Sequence, residues 1–363
     1  MGTIKRNFSN NVTPTGKFDS ADLIGTIPAT NVADASLTNI TSVPATIGDF
    51  VQKVASDPSP ASAGDVWYNT TSNALKAAVL QAAAWASGGN LSTARTGVGG
   101  AGTQTLGLCF GGFDGNLGIE SNATEEYNGT SWGPGGNMGT GRFLFAGCGT
   151  QTAALGFGGY GVPKNALTEE YNGSAWTAGG NLNTGRPSIE GCGTQTAALG
   201  FGGYPPGGIT NATEEYDGSA WTSGGNLGTA RYEIGGAGIQ TAGLAFGGST
   251  GARLTATEEY DGSAWTTGGS LNTARSALGG AGTQTASIGF GGSAPVRVAT
   301  TELYNGISWS TAASMATARD SLGGAGTQTA GLGFAGATAP STFVAATEEF
   351  TGAAVVTQTV TTS

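Results

Sequence analysis

The sequence predicts an all-β fold in which six antiparallel four-stranded units follow a segment of a different kind. Three observations predict it: an internal repeat of about 45 residues, tight-turn signals within each repeat, and the composition. The chain has 67 glycines in 363 residues and only 10% charged residues. So much glycine without a Gly-X-Y period requires many turns and close backbone approaches, and the low charge argues against a disordered chain.

A tryptophan recurs at nearly constant spacing and marks the repeat. The column consists of Trp85, Trp132, Trp176, Trp221, Trp265 and Trp309. Each repeat also carries, in order, an arginine, a Gln-Thr pair, an aromatic residue followed by small residues, and a Glu-X-aromatic sequence. The segments between the Gly and Thr clusters are too short for helices, so we expect strands.

Each repeat contains four predicted strands. The first runs from the arginine to the Gln-Thr turn, the second ends at the double glycine, the third carries Glu-X-aromatic and the fourth carries the tryptophan. Asn-Gly or Asp-Gly between the third and fourth strands is a strong hairpin signal. Four short antiparallel strands at this period are typical of one blade of a β-propeller.

The order arginine, double glycine, tyrosine, tryptophan resembles the kelch signature over about residues 85–355. One departure is Ala335-Gly336, where the other repeats have Gly-Gly. The resemblance implies a six-bladed kelch-like β-propeller of four-stranded antiparallel blades, which we assign to residues 84–363.

Two charged columns are as regular as the tryptophans, and we interpret all three as scaffold because one binding site rarely needs six copies. The tryptophans are expected to pack between blades. The arginine column consists of Arg95, Arg142, Arg186, Arg231, Arg275 and Arg319. The glutamate column consists of Glu125, Glu169, Glu214, Glu258, Glu302 and Glu348. We predict a structural Arg–Glu pair or an arginine–backbone network in each blade.

The last repeat lacks a fourth strand with tryptophan, since Val355 stands at that place, and no repeat precedes Trp85. We therefore predict that the strand around Trp85 completes the last blade, which would remove two open strand edges. Residues 353–360 either add beside that strand or lie elsewhere. A seven-bladed ring that uses Asp65–Leu80 is an alternative, although this segment has room for only two strands.

Sequence variation concentrates in one set of loops. The segments between the second and third strands diverge at 113–122, 160–167, 204–211, 249–256, 293–300 and 337–345. In an antiparallel blade these loops share a face with the residue after each arginine, which also varies. A constant scaffold with divergent loops is typical of a binding surface, although loops that merely drifted would look the same.

Aromatic residues on this face favour a glycan ligand. The candidates are Phe113, Phe143, Tyr160, Tyr204 and Tyr232. The polar candidates beside them are Asp114, Lys164, Arg253, Arg297 and Asp320.

Composition excludes several kinds of site. The chain has no histidine, which removes the commonest general base and a common metal ligand. We predict no catalytic residue, metal or cofactor: galactose oxidase needs histidine copper ligands, and YDGSAW (216–221 and 260–265) only superficially resembles a sialidase Asp box. Cys109, Cys148 and Cys192 are read as buried thiols. A net charge of −10 disfavours nucleic acid as a partner. The sequence shows neither a long apolar run nor a secretory leader, so we predict no membrane insertion and no secretion.

The first part of the chain does not share the repeat. Residues 1–60 are rich in Thr, Asn, Ser and Ala and resemble the N-terminal attachment segments of tailed-bacteriophage fibres and other virion appendages. Within them ATIGDFVQKVA (45–55) favours a brief helix. Residues 61–83 are assigned to a linker and a β-hairpin over 65–77.

These resemblances imply a non-enzymatic phage structural protein, a tail fibre or virion appendage. Residues 1–60 would bind other virion proteins, the propeller would contact a host cell-surface glycan or protein, and the chain would form a homo-oligomer such as a trimer. It would be assembled in the host cytoplasm and reside in the virion. The alternatives are a capsid or tail decoration protein without receptor role, or a bacterial kelch protein-interaction scaffold.

Overall fold

The computed structural model describes residues 52–161 and 166–360, and this part of the chain is built from strands and turns without a helix. The chain divides into two compact units. One comprises Ala83–Gly352 and is a six-bladed β-propeller; the other joins the described residues 52–82 to 353–360. Residues 1–51, most of the predicted attachment segment, lie outside the described part of the chain.

Six four-stranded antiparallel sheets form the blades. Blade 1 is Gly99–Gly102, Gly107–Phe110, Thr124–Tyr127 and Trp132–Pro134. Blade 2 is Ala146–Thr150, Ala153–Phe157, Thr168–Tyr171 and Trp176–Ala178. Blade 3 is Glu190–Thr194, Ala197–Phe201, Thr213–Tyr216 and Trp221–Ser223.

The other three blades follow the same plan. Blade 4 is Gly235–Ile239, Ala242–Phe246, Thr257–Tyr260 and Trp265–Thr267. Blade 5 is Gly279–Thr283, Ala286–Phe290, Thr301–Tyr304 and Trp309–Ala312. Blade 6 is Gly323–Gly326, Ala330–Phe334, Thr347–Thr351 and Ala84–Ser87. Short strands in the loops are Arg95–Thr96, Phe113–Asp114, Ile119–Glu120, Ser293–Ala294, Val296–Arg297, Ala337–Ala339 and Thr342–Phe343.

The predicted closure of the ring is confirmed. Ala84–Ser87 pairs antiparallel with Thr347–Thr351, and Trp85 lies opposite Phe350. The first strand of blade 6 also contacts the first strand of blade 1. The chain before blade 1 therefore supplies the outer strand of blade 6, and the third strand of that blade is not left as an open edge.

A closed circle of backbone hydrogen bonds surrounds the centre of the ring. Each residue two positions after a column arginine donates its N–H to the carbonyl of its counterpart in the previous blade, over 2.7–3.4 Å. The circle consists of Gly97, Leu144, Ser188, Glu233, Ala277 and Ser321. All have φ between 51° and 62°, a left-handed conformation that non-glycine residues adopt only where the surroundings enforce it.

The tryptophan column packs between blades. Each indole contacts a phenylalanine of the preceding blade, as in Trp221 against Phe157 at 4.6 Å between ring centroids. Its Nε1 donates a hydrogen bond to a threonine of that blade, in this case Thr168 at 2.9 Å. The same pair of contacts joins Trp85 of blade 6 to Phe290 and Thr301 of blade 5. The repeated indole thus holds consecutive blades together around the whole ring.

The arginine and glutamate columns form one ion pair inside each blade. The six N–O distances lie between 2.5 and 3.2 Å, and every arginine is at most 1% exposed. In blade 4, Arg231 also donates to the carbonyls of Gly247 and Ala256. Burial lowers the pKa of Arg142 to about 10 while Glu169 opposes the shift, so the guanidinium remains charged at neutral pH. The predicted pair and the predicted backbone network are both present.

The second unit contains a separate four-stranded sheet of Gln52–Val54, Val66–Asn69, Ala74–Gln81 and Ala354–Thr359. The middle two strands form the antiparallel hairpin expected over 65–77. The six-residue strand near the end of the chain pairs with Ala74–Gln81. The propeller therefore ends at Gly352 and not at residue 363 as we assigned it, because the tail strand finds its partner in the hairpin. The seven-bladed alternative is wrong, because the first strand of blade 6 contacts the first strand of blade 1 directly and the sheet that contains the hairpin belongs to the other unit.

The predicted helix over 45–55 is also incorrect where it can be compared. Gln52–Val54 is a strand that pairs in parallel with Val66–Asn69, and residues 45–51 lie outside the described part. Three residues with little burial of their own are placed here by the neighbouring strand, which tertiary pairing can do against a local periodic pattern. Cys109, Cys148 and Cys192 are buried free thiols, as predicted.

Candidate binding face

The divergent loops and the residues after the column arginines lie together. The residue after the arginine pairs with the first loop residues of its own blade, as in Phe143 with Tyr160 and Asp320 with Ala337. In blade 1 the pairing extends to two residues, Arg95–Thr96 with Phe113–Asp114. We call this surface, formed by the second-to-third-strand loops and the residues after the arginines, the loop face.

An aromatic arc crosses the loop face over blades 6, 1 and 2. Its members are Phe343, Phe113, Phe143 and Tyr160, and consecutive ring centroids are 5.9, 5.4 and 5.1 Å apart. The three phenylalanines are half-buried, and Tyr160 is 40% exposed. Rings in mutual contact are held in place by one another, so the arc presents a fixed apolar surface. Phe343 was not among our candidates, although its loop was among the divergent ones.

A second aromatic pair lies in blades 3 and 4. Tyr204 and Tyr232 meet edge to face, with ring centroids 5.6 Å apart, and Tyr204 is 44% exposed. The backbone N–H of Tyr204 donates to the carbonyl of Pro187, which follows a column arginine. The structure therefore brings the five predicted aromatic residues into two groups on one face.

Charged and hydroxyl groups gather on the loop face over blades 4 to 6. Arg297 lies 3.0 Å from Asp320, and exposed Arg253 donates to the hydroxyl of Ser293. Ser276 donates to Glu233 over 2.9 Å. Burial raises the pKa of Asp320, and the two arginines oppose that shift. We call these groups the polar cluster; it complements the aromatic arc on the other side of the ring.

Two predicted polar candidates do not join that cluster. Asp114 is buried, and its Oδ1 accepts the backbone N–H groups of Asn116 and Leu117. Its carboxylate fixes the tip of its own loop and does not offer a free group to a ligand, because a short aspartate side chain at the start of a turn bonds its own backbone. Lys164 lies outside the described residues.

The basic residues of the propeller have an uneven distribution. Between residues 83 and 352, the lysines and arginines outside the buried arginine column are Lys164, Arg253 and Arg297. All three belong to second-to-third-strand loops. Charge of both signs is therefore available to a ligand on the loop face, whereas the rest of the propeller surface offers only acidic groups.

A cavity of about 70 Å³ opens at the centre of the ring, behind the residues that follow the arginines. Its walls include the circle of hydrogen-bonded residues and the apolar side chains that follow them. Two carboxylic acids also line it, Glu190 and Glu233. Burial raises the pKa of Glu190 to about 8 and raises that of Glu233, with Asp320 adding to the shift and Ser276 and Arg253 opposing it.

Sequence reasoning missed Glu190, although the repeats carry a signal for it. The corresponding residues in the other blades are Gly99, Ala146, Gly235, Gly279 and Gly323. A glutamate in a column of glycine and alanine is the kind of single departure that marks a local function. We compared the repeats for constant columns and divergent loops, and this departure lies within a first strand.

Two general observations limit the chemistry. Among residues 52–161 and 166–360, no group of three or more His, Cys, Asp or Glu side chains is placed to hold a metal ion. The same residues include no helix that is long and apolar enough to cross a membrane.

The comparisons with known proteins identify the fold. No family model matches the sequence, and no curated protein matches it. A solved structure of YjhT, a kelch-like β-propeller protein, is similar to this chain with a TM-score of 0.60 and 12% sequence identity. The match covers 74% of this chain and 99% of the YjhT chain. At this identity the likeness shows the kelch-like β-propeller fold alone.

Proposed function

We propose that the propeller is a non-enzymatic binding module whose loop face binds a saccharide. The observation that carries the proposal is the aromatic arc of Phe343, Phe113, Phe143 and Tyr160. A fixed aromatic surface accepts the apolar face of a sugar ring, and the polar cluster on the same face supplies donors and acceptors for hydroxyl groups. Binding sites of this kind combine apolar walls with a few oriented polar groups.

The contrast between scaffold and loops supports this proposal. The buried Arg–Glu pairs and the indole contacts recur in every blade, whereas the residues of the arc and the polar cluster differ from blade to blade. A rigid scaffold that presents variable loops is the usual arrangement of recognition surfaces. The proposal therefore assigns binding to the residues in which the blades differ.

The biological setting we propose is a phage virion. Residues 1–60, which resemble fibre attachment segments, would bind other virion proteins and assemble the chain into a homo-oligomer, and the loop face would contact glycan on the host surface. The low charge of residues 23–45, where Asp34 is the one charged side chain, fits a segment that orders by pairing with copies of itself. Tail fibres occur in few copies per particle and decoration proteins in many, so counting this chain in purified virions tests the setting.

The binding proposal is tested with purified protein on an array of bacterial surface polysaccharides. A double variant, Phe143→Ala with Tyr160→Ala, is expected to weaken binding of the selected glycan at least about tenfold, or about 1.4 kcal/mol, because it removes half of the arc. The matched control is Ile307→Ser. Ile307 is 78% exposed in the turn between the third and fourth strands of blade 5, and serine occupies this place in blades 2 to 4.

Several outcomes of this experiment would contradict the binding proposal. If the arc variant binds as well as the wild type, or if Ile307→Ser loses binding instead, the saccharide site is not on the loop face. If no bacterial polysaccharide binds the wild type, the glycan proposal is wrong.

A further inference from the structure

The central cavity contains polar groups that the scaffold does not need. Glu190 stands in a column of glycine and alanine, and Glu233 stands where the other blades have Gly97, Leu144, Ser188, Ala277 and Ser321. These other residues complete the same strands and the same circle of hydrogen bonds without a carboxylate. The two glutamates occur on adjacent blades and line the same cavity. Neither the fold nor the aromatic arc accounts for them.

The carboxyl group of Glu190 is incompletely satisfied. Its Oε1 accepts the backbone N–H of Gly191 over 3.0 Å, which is the one hydrogen bond to this half-buried carboxyl among the described residues. Glu233 accepts one hydrogen bond, from Ser276. Arg253 and Asp320 are the charged groups that act on Glu233, and the thiols of Cys148 and Cys192 are the titratable groups near Glu190. No basic side chain lines the cavity.

Partial removal of a carboxylate from water costs free energy when no cation lies beside it, so the half-buried Glu190 holds a proton when no ammonium group is bound. An ammonium group removes this cost, because it supplies a positive charge and three N–H donors. The cavity has room for such a group: about 70 Å³ exceeds what one water requires. Its remaining walls are apolar, including Ile189, Ile234 and Leu278, and suit the carbon to which the nitrogen is attached.

Other cations fit the cavity less well. A guanidinium is a planar group with five donors in a fixed fork, and the cavity offers two carboxyl groups and a few hydroxyls. A divalent metal ion requires more oxygen or nitrogen ligands than these, and no metal-binding group is present among the described residues. A compact primary ammonium matches both the number of acceptors and the volume.

We infer that the central cavity binds the primary ammonium group of an amino sugar whose ring lies on the loop face. This inference rests on the proposed function for the saccharide, but the ammonium site itself depends only on the cavity, Glu190 and Glu233. Glu190 lies at the start of its strand, just beyond the circle of hydrogen bonds, so the group enters from the loop face.

Binding of the ammonium group displaces the proton of Glu190. The empty protein carries a proton on Glu190 at neutral pH, since burial raises the pKa of this carboxyl to about 8. An ammonium group favours the ionised carboxylate, so an amine that stays charged up to pH 8, such as ethylammonium, releases a proton when it binds, and its affinity increases as the pH rises from 6 to 8. Cys148 and Cys192 do not contribute in this range, because burial raises the pKa of the Cys148 thiol to about 12 and raises the pKa of the Cys192 thiol well above its usual value.

The first experiment measures binding of ethylammonium chloride to the full chain by calorimetry in two buffers of different ionisation enthalpy. We expect binding with release of a proton at pH 7, and at least tenfold weaker binding by Glu190→Gln and by Glu190→Gly. Glycine is native at this place in four blades, which makes it the matched replacement. Glu120→Gln is the control, because Glu120 lies in a loop of blade 1 and does not line the cavity.

Ethanol has similar size and no charge, and it should not bind. If ethylammonium fails to bind the wild type, or binds equally to Glu190→Gln, the ammonium site is overturned. Equal thermal midpoints of Glu190→Gln and the wild type at pH 5 establish that a loss of binding does not come from unfolding.

The second experiment identifies the source of the ammonium group. Glucosamine should bind more tightly than ethylammonium. N-acetylglucosamine should bind the wild type and Glu190→Gln with equal affinity. The amide of Nα-acetyl-lysine should bind no better than ethylammonium. Tighter binding of the lysine derivative than of glucosamine overturns the assignment to a sugar. Loss of glucosamine binding by the Phe143 and Tyr160 double variant, with ethylammonium binding kept, separates failure of the arc from failure of the cavity.

Discussion

At the scale of single residues, the buried Arg–Glu pairs show how a charged side chain becomes part of a core. Arg231 is fully buried and has three acceptors, Glu258 and the carbonyls of Gly247 and Ala256. Glu258 in turn accepts the N–H of Gly228, which precedes the blade. The pair therefore ties the entering chain to the third strand, and neither partner can be removed alone without leaving a buried group unpaired.

Replacement of Arg231 by alanine is expected to destabilise the propeller by about 3–5 kcal/mol. The cause is the unpaired carboxylate of Glu258 and two carbonyls that lose their donor. Urea unfolding monitored by tryptophan fluorescence measures the change. Arg253→Ala is the control, since Arg253 is an exposed arginine of the same blade and should cost less than about 1 kcal/mol. Equal unfolding midpoints for the two variants would contradict a structural role of the pair.

Glu190 makes the stability of the propeller depend on pH. Its pKa is raised in the folded protein to about 8, above the value near 4.3 of the unfolded chain, so the folded state holds the proton more tightly. The contribution to stability is fully present below about pH 4 and is lost as the pH rises towards 8. We expect the thermal midpoint of the wild type to fall between pH 5 and pH 8 more steeply than that of Glu190→Gly. Parallel profiles would show that Glu190 is not buried as a neutral acid.

At the scale of elements, the third strands connect neighbouring blades through a side-chain hydrogen bond. In five blades a tyrosine hydroxyl donates to a glutamate of the preceding blade over 2.5–2.6 Å. The junction between blades 5 and 6 is different. Here Phe350 stands in place of the tyrosine and Leu303 in place of the glutamate, and both belong to one apolar cluster with Trp85. These two departures, which occur in separate repeats, thus compensate each other at one junction.

This correspondence can be tested by a double-mutant cycle. Leu303→Glu alone places a carboxylate against an apolar ring, and Phe350→Tyr alone leaves a hydroxyl without acceptor, so each should cost about 1–3 kcal/mol. The double variant recreates the pair of the other five junctions and should recover about 0.5–3 kcal/mol as a coupling energy. Unfolding free energies of the four proteins give that coupling. A value of zero would mean that the two side chains do not interact.

At the scale of the whole molecule, stability depends on closing the ring. The outer strand of blade 6 comes from residues before blade 1, so a chain that begins later leaves the third strand of blade 6 as an open edge. Glutamine side chains also connect each blade to the one before it by hydrogen bonds to backbone carbonyls. One of them joins Gln104 of blade 1 to the carbonyl of Phe350 in blade 6. The ring is therefore cooperative across its closing junction.

Two truncated chains test this closure. Residues 83–352 contain a complete set of strands and are expected to give a folded, monomeric protein with a sharp thermal transition. Residues 90–352 lack Ala84–Ser87 and are expected to aggregate or to melt at least about 10 °C lower, because an edge and the Trp85 contact are lost. Circular dichroism melting and size-exclusion chromatography measure both. Similar behaviour of the two chains would show that the closing strand is dispensable.

The repeat, and with it most of the propeller, can be predicted from the sequence alone. Constant spacing of Trp and Arg, together with Asn-Gly and Asp-Gly turns, specified the number of blades and strands, and the missing tryptophan at Val355 specified which strand closes the ring. These features are local or periodic, so they can be read along the chain. The loop face followed from the topology of an antiparallel blade.

Which further residues meet became visible only in the folded chain. It placed Ala354–Thr359 against the hairpin, turned Asp114 into its own loop, added Phe343 to the aromatic arc and brought Glu190 and Glu233 to one cavity. The aromatic arc and the cavity have no spacing rule, because each joins segments whose distance in space depends on how the blades curve around a common axis. A periodic pattern specifies the blade, and packing of one blade against the next specifies the site.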